Sequence, residues 1–248
     1  MSAGRMFVSF PKSGRSWVRY ALHRLGVADQ IAFHHDGFEY NDGNRPPLDF
    51  DYAQRRARYS HGDIIVYMHR DPRDVMVSLY HQITGRFKDF FGYGGSLSDF
   101  IRDPYFGAEN LQRFRTQWLD LCRDGVALAV SYEECHADFP ATLARIVAYY
   151  RFEAAEPAIR EASAAAAIEK MRTVEQGGGF EEPWLRLRNG SPKVREGRLG
   201  GFAESLGVED IAYLNRIFQL PHTVRAAEQS QTTGEVSAPA STGNDLPR

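Results

Sequence analysis

The run Ile64-Ile65-Val66-Tyr67-Met68 constrains this 248-residue chain more than any other segment. It is continuous, apolar and largely β-branched, and Asp71-Pro72 ends it. A strand with one wet face alternates apolar and polar residues. A run without polar interruption needs cover on both faces, as parallel strands have. The rest of the chain must therefore supply helices for two sides of a sheet, and its periodicity does. Met6 to Phe10 is a second short apolar strand, stopped at Pro11. Ser16 to Leu25 then carries Trp17, Val18, Ala21, Leu22 and Leu25 on one helical face, with Gly26 as its stop. Ile31-Ala32-Phe33 is a weaker strand ending in His34-His35-Asp36-Gly37. Helices are predicted over Arg73 to Ile83, Ala108 to Cys122, Phe139 to Tyr150, Pro157 to Met171 and Val208 to Phe218, and a further buried strand over Val126 to Val130. Strands alternating with helices predict an α/β fold, with a central, mostly parallel β-sheet flanked by helices.

Three segments break the pattern. Residues 38 to 62 read as polar and aperiodic, with Asn-Asp-Gly and Pro-Pro turn signals. Periodicity collapses again from Glu175 to Gly201, where glycines, prolines and arginines crowd. A long irregular segment inside a compact domain is usually functional or disordered. From Ala226 the chain turns to Ser, Thr, Gly, Pro and Gln, so one domain over 1–225 is expected, followed by a disordered tail over 226–248.

Charge and cysteine content exclude several function classes. Thirty Lys and Arg against 32 Asp and Glu leave a net charge of −2. That excludes a generic basic coat for nucleic acid but leaves room for a local basic pocket. Cys122 and Cys135 are too few for a disulfide framework or a four-thiolate zinc site, and no metal-ligand spacing occurs. No apolar run approaches the roughly 18 residues of a membrane span. Met1 to Arg5 leads into an apolar strand without a signal-peptide layout, so a cytoplasmic location is expected.

Ligands of parallel sheets bind at the carboxyl ends of strands, which here means the turns after Phe10, Phe33 and Met68. In the first, Pro11-Lys12-Ser13-Gly14-Arg15-Ser16-Trp17 joins a strand to a helix start. Helix N-terminal N–H groups and the dipole favour an anion there. Lys12 adds charge, Ser13 and Ser16 add hydroxyls, and Trp17 offers a flat face to a base. A Walker A loop puts Lys after its second Gly, which this turn does not. An ordinary strand–helix connection with a Ser cap accounts for it equally well. After Met68, Arg70 sits at the strand end and Ser78 lies eight residues on, placed to grip a phosphate from two sides. Arg73 and Asp74 read equally as charges of a helix start. One such arginine would be a surface charge, but two anion-suited turns on one sheet are harder to dismiss.

Together these segments resemble the sulfotransferases of the cytosolic and bacterial type. Residues 11–17 resemble the family's 5′-phosphosulfate loop, and Arg70-Asp71-Pro72-Arg73-Asp74 with Ser78 resembles its 3′-phosphate motif. Val130-Ser131-Tyr132-Glu133-Glu134 is similar to the family's Tyr-Glu-Asp strand end, and Arg195-Glu196-Gly197 to its late Arg-x-Gly element. The resemblance, over about residues 6 to 218, implies a P-loop-like three-layer fold and the donor 3′-phosphoadenosine-5′-phosphosulfate (PAPS), leaving 3′-phosphoadenosine-5′-phosphate (PAP), with no metal. It implies that Lys12, Ser13, Gly14, Arg15, Ser16 and Trp17 hold the phosphosulfate, with Lys12 stabilising the leaving phosphate. It implies Arg70, Ser78, Arg195 and Gly197 at the 3′-phosphate, and Tyr132 beside the adenosine. The family's general base is commonly a strand-end His, a position that His34 and His35 occupy, and the His-Asp pair favours His35 with Asp36 as a possible orienting group. Adjacent strand residues face opposite ways, so one of the two faces the site. Both also read as exposed turn residues.

Three departures stand out. Arg15 replaces a small hydroxyl residue, Glu196 stands where a basic residue is common, and Ile168 falls where the family often has an aromatic over adenine. The implied acceptor is a small molecule, carbohydrate or lipid bound by residues 38–62, 84–107 and 175–194. Aromatics of Arg86 to Tyr93 either stack on it or pack among themselves, and 175–201 is expected to act as a lid. The competing readings are a nucleotide-dependent phosphotransferase of related fold, which lacks its Walker lysine here, and a non-catalytic nucleotide-binding protein.

Overall fold

A computed structural model describes residues 4–40, 51–59, 62–178, 183–194 and 197–220. Its strands β1 (Arg5–Ser9), β2 (Ala32–His34), β3 (Ile64–His69) and β4 (Ala127–Ser131) form one sheet in the order β2-β1-β3-β4. Every neighbouring pair is parallel. Val8 lies opposite both His34 and Tyr67, and Met68 opposite both Ser9 and Val130. This register brings the carboxyl ends of all four strands to one edge.

The helices in chain order are α1 (Arg15–Arg24), α2 (Tyr52–Tyr59), α3 (Pro72–His81), α4 (Lys88–Phe91), α5 (Leu97–Arg102) and α6 (Ala108–Arg123). Then come α7 (Tyr132–Ala137), α8 (Phe139–Tyr149), α9 (Glu156–Ala165), α10 (Ile168–Gly177) and α11 (Val208–Phe218). The pleat sends alternate side chains of β1 and β3 to opposite faces. Val8, Ile65 and Tyr67 enter a core with α3, α5, α6 and α11. Phe7, Val66 and Met68 enter a second core with α1, α8, α9 and α10. The uninterrupted apolar run is thus explained: each of its faces has its own helical layer. Burying each of these large side chains stabilises the fold by roughly 1.5–3 kcal/mol.

The structure corrects three expectations and decides between two alternatives in a fourth. Residues 38 to 62 contain α2, where an irregular segment was expected. Its apolar signal is thin because polar tertiary contacts hold it. Tyr59 donates to Asp36 at 2.5 Å, Arg55 ion-pairs with Asp36, and both Tyr52 and Arg56 reach Asp124. The single helix expected over Pro157 to Met171 is two helices, broken by an extended Ala167 (φ −54°, ψ 139°). A run of alanines favours helix throughout, so only packing marks the break. α10 then runs on to Gly177, into the segment predicted irregular. Third, the helix predicted to Ile83 ends at His81, and Gln82–Arg86 forms a single π-helical turn, a feature frequent at functional sites. Fourth, the aromatics of 84–107 mostly pack on one another: Phe91, Tyr93 and Phe100 all meet Phe106 with ring centroids 5.2–5.6 Å apart. The predicted tail over 226–248 lies outside the described residues. No helix among the described residues is long and apolar enough to cross a membrane.

Candidate functional site

A cavity of about 210 Å³ opens at the carboxyl edge of the sheet. Its floor is the turn between β1 and α1. Lys12 (φ 72°) and Gly14 (φ 102°) both take positive φ there, so the turn closes in a few residues. Gly14 also has no room for a side chain, because a Cβ would lie 2.5 Å from Tyr132 Cδ2 and 2.8 Å from Met68 Cε. Gly14 caps α1 without a side-chain hydrogen bond, and the first turn of α1 contains no acid. The first N–H groups of a helix lack intrahelical partners, so this end retains its affinity for an anion. Lys12, Gly14, Arg15, Ser16 and Trp17 line the cavity. Ser13 does not. It is buried, with its N–H donating to the Phe10 carbonyl at 3.3 Å.

Arg70 leaves the end of β3 and lies over the Tyr132 ring at 4.3 Å. It pairs with Asp74 at 3.3 Å and donates to the Arg198 carbonyl at 3.0 Å. Asp74 also accepts the N–H groups of Gly200 and Phe202 at 2.9 and 3.0 Å, which fastens the late loop to α3. Ser78 faces the cavity from the next turn of α3, and Gly197 faces it from the loop. A Cβ on Gly197 would meet Ile168 Cδ1 at 2.5 Å, so Ile168 and Gly197 form one wall. Arg195 lies outside the described residues. Arg73 takes a structural part: it pairs with Asp71, donates to Asn215 at 3.1 Å and covers Phe202 at 4.1 Å. Trp17 stacks one face on Phe139 at 4.5 Å, leaving less of its ring for a ligand than its position in the sequence implies. His136 meets Trp17 at 5.0 Å and Tyr132 at 4.7 Å.

The two histidines after β2 part company. His35 lines the cavity and His34 stays outside it. His34 instead accepts the Asp36 N–H through Nδ1 at 3.3 Å and stacks near Tyr59. The His35 Nδ1 lies 2.6 Å from the Ser9 carbonyl. A carbonyl only accepts, so Nδ1 carries the proton and Nε2 keeps its lone pair. Burial, reinforced by Arg15, holds the His35 pKa well below its usual value, so the imidazole stays neutral. Asp36 does not orient His35. It is buried beneath Tyr59, Trp118 and Arg55, and the Ser9 carbonyl takes that part. His81 stands exposed at the end of α3, away from the cavity.

The remaining wall comes mostly from segments 38–62, 84–107 and 175–194, though no motif singled out its residues. Lys193 lines it, with Arg86, Phe87, Gln82 and Glu39. Buried Glu175 accepts the N–H groups of Lys193 and Val194 at 2.5 and 3.0 Å, and pairs with Arg86 at 3.4 Å. Arg86 Nη1 also donates to the carbonyls of Arg186 and Ser191. One carboxylate therefore ties the loop carrying Lys193 to the π turn and to α10.

Arg15 Nη1, Arg70 Nε and Trp17 Nε1 are sealed from solvent without a hydrogen-bond partner among the described residues. Each such buried donor costs about 1–3 kcal/mol. Three of them around one cationic cavity fit anionic ligands.

Comparisons with known proteins agree with this chemistry. A family model described as "Sulfotransferase domain" matches residues 64–234. Human sulfotransferase 2B1 is 32% identical over 99 residues, an alignment spanning 38% of this chain and 26% of that protein. Rabbit amine sulfotransferase is 22% identical over 241 residues, covering 86% of this chain and 78% of its own length. Among solved structures, mouse sulfotransferase SULT7A1 complexed with PAP superposes with a TM-score of 0.65 at 15% identity, covering 88% of this chain and 83% of that one. Retinol dehydratase in complex with androsterone and PAP gives 0.63 at 15% identity, covering 88% and 80%. These superpositions establish a shared α/β fold.

Proposed function

The chain belongs to the sulfotransferase domain family, and on that premise we propose that it moves a sulfuryl group from PAPS to a hydroxyl or amine of a small-molecule, carbohydrate or lipid acceptor. PAPS supplies a sulfuryl group already activated on a phosphate leaving group. The chain supplies positioning and charge, which dominate catalysis of such in-line transfers.

The bare N-terminus of α1, with Ser16 and Lys12, holds the phosphosulfate end. Lys12 meets the charge that builds on the leaving phosphate. Arg70, Ser78 and the backbone at Gly197, together with Arg195, hold the 3′-phosphate. Trp17, Tyr132 and Ile168 flank the base. His35 accepts the acceptor's proton at Nε2, and the Ser9 carbonyl stabilises the resulting imidazolium through Nδ1–H. The observation that carries this reading is the 2.6 Å contact of His35 Nδ1 with the Ser9 carbonyl, on a ring that faces the same cavity as the uncapped α1 N-terminus.

Titration calorimetry with PAP, AMP and ATP tests the donor. PAP is expected to bind best, and Arg70→Ala to erase its advantage over AMP. Equal or tighter ATP binding would sink the reading. His35→Ala is expected to lower kcat by about 10²–10⁴ while PAP affinity holds. A collapse of PAP affinity in that variant would remove His35 from the role of base.

A further inference from the structure

The cavity has two cationic poles. At one, Arg70 faces Tyr132, Ser78 and the Gly197 loop, and acts electrostatically on His136. At the other, Arg15 and Lys193 line the same cavity as His35 and act on it electrostatically. The first pole suffices for a 3′-phosphate, and Lys12 with the α1 N-terminus for a phosphosulfate. The second is left over.

Most other positive charge in the cavity is committed within the protein. Arg70 pairs with Asp74, Arg86 with Glu175 and Arg198 with Glu204. Arg15 has one guanidinium nitrogen, Nη1, sealed without a partner. Lys193 donates to the Trp184 carbonyl at 2.7 Å, and an ammonium carries two further donors. Two carboxylates lie near this pole among the described residues: Glu175 is engaged by Arg86 and by the backbone of Lys193 and Val194, and Glu39, which acts electrostatically on Arg15, accepts the His35 backbone N–H at 3.1 Å. Burial and the neighbours Arg15, Lys12, Arg86 and Arg19 disfavour the Lys193 charge. The Arg15 pKa is pushed down to about 10, first by burial and then by Arg19. Like charges gathered in a partly dry cavity are unfavourable until an anion joins them.

We propose that Arg15 and Lys193 form an oxyanion subsite for the acceptor, whose substrates carry a carboxylate or similar group beside the hydroxyl they present to His35. An anionic acceptor meeting an anionic donor would be repelled, and this second pole offsets that repulsion. Glu175 holds the pole in place through the backbone of Lys193 and Val194. The inference rests on the sulfuryl-transfer reading and names the acceptor class of the same site.

The test uses the full chain saturated with PAP, titrated with 4-hydroxybenzoate and with its uncharged methyl ester. The acid is expected to bind at least tenfold more tightly. Lys193→Met is expected to abolish that preference while PAP affinity stays within threefold, and Lys193→Arg to retain it. The inference is overturned if the ester binds as well as the acid, if neither binds, or if Lys193→Met keeps the preference. It is also overturned if Lys193→Met loses PAP affinity, since that would assign Lys193 to the donor. Failure of the parent reading shows separately, as a wild-type protein that does not prefer PAP to AMP when neither probe is present.

Discussion

Two strand-to-helix turns reach the same sheet edge, after β1 and after β3, and they treat their helix N-termini in opposite ways. α1 starts at a left-handed Gly14, without a side-chain cap and without an acid in its first turn. α3 starts at Asp71, whose carboxylate accepts the Arg73 N–H at 2.9 Å. Pro72 follows, and acidic Asp74 completes the first turn. Proline removes one donor, Asp71 consumes another, and Asp74 complements the dipole. The N-terminus of α3 is therefore satisfied within the chain, and that of α1 is not. The β3 turn contributes to the cavity through the Arg70 side chain, the β1 turn through an open helix end as well as the side chains of Lys12, Arg15, Ser16 and Trp17. Of these two turns, only the one whose sequence withholds the cap leaves its helix end open to an anion.

Substitutions can break this contrast. Within the two turns, the largest effect is expected from Lys12→Met, with the single-turnover rate constant falling about 10²–10³. Arg73→Met should leave that rate constant unmoved, since its guanidinium is engaged by Asp71 and Asn215. An equal loss from both would erase the distinction between the turns. Gly14→Ala comes next. The strained φ and the contact with Tyr132 are expected to cost about 1–3 kcal/mol in urea denaturation and at least tenfold in PAP affinity. Unchanged PAP affinity would mean that the shape of the turn does not hold the nucleotide. Asp71→Ala should cost about 0.5–2 kcal/mol of stability with PAP affinity within threefold. A large affinity loss there would make the α3 end a ligand site too.

The smallest effect is a titration shift, and it sharpens the contrast because Arg15 opens α1. Burial, Arg15 and Lys193 lower the His35 pKa in the free protein. The unfolded chain therefore takes up this proton first as pH falls. The preference for the neutral ring then withdraws stability below about pH 6.5, the ordinary imidazole value. Bound PAP adds negative charge, so the His35 pKa should rise on binding. NMR of the His35 ring with and without PAP reads this directly, and a downward shift would contradict the proposed electrostatics.

Much of this molecule is legible in its residues. The apolar run at Ile64 predicts a doubly covered parallel strand, and β3 is one, with a helical layer on each face. The strand–turn–helix at Lys12 to Trp17 marks the floor of the cavity because its signals are local: a glycine, a lysine and a helix start within a few residues. The break after Ala165 escapes notice because alanine carries no packing signal. α2 escapes because its anchors, Asp36 and Asp124, lie far away in sequence.

The site divides in the same way. Local chemistry determined the sheet, its two helical layers and the anion-suited turns, since backbone propensity and capping act over a few residues. Tertiary structure alone decided which histidine enters the cavity, because the Ser9 carbonyl that holds His35 belongs to another strand. It alone decided that Asp36 supports the core and not the base. It alone assembled Lys193, Arg86 and Glu175, whose electrostatic partnership spans three separate elements and leaves no trace in any short stretch of sequence.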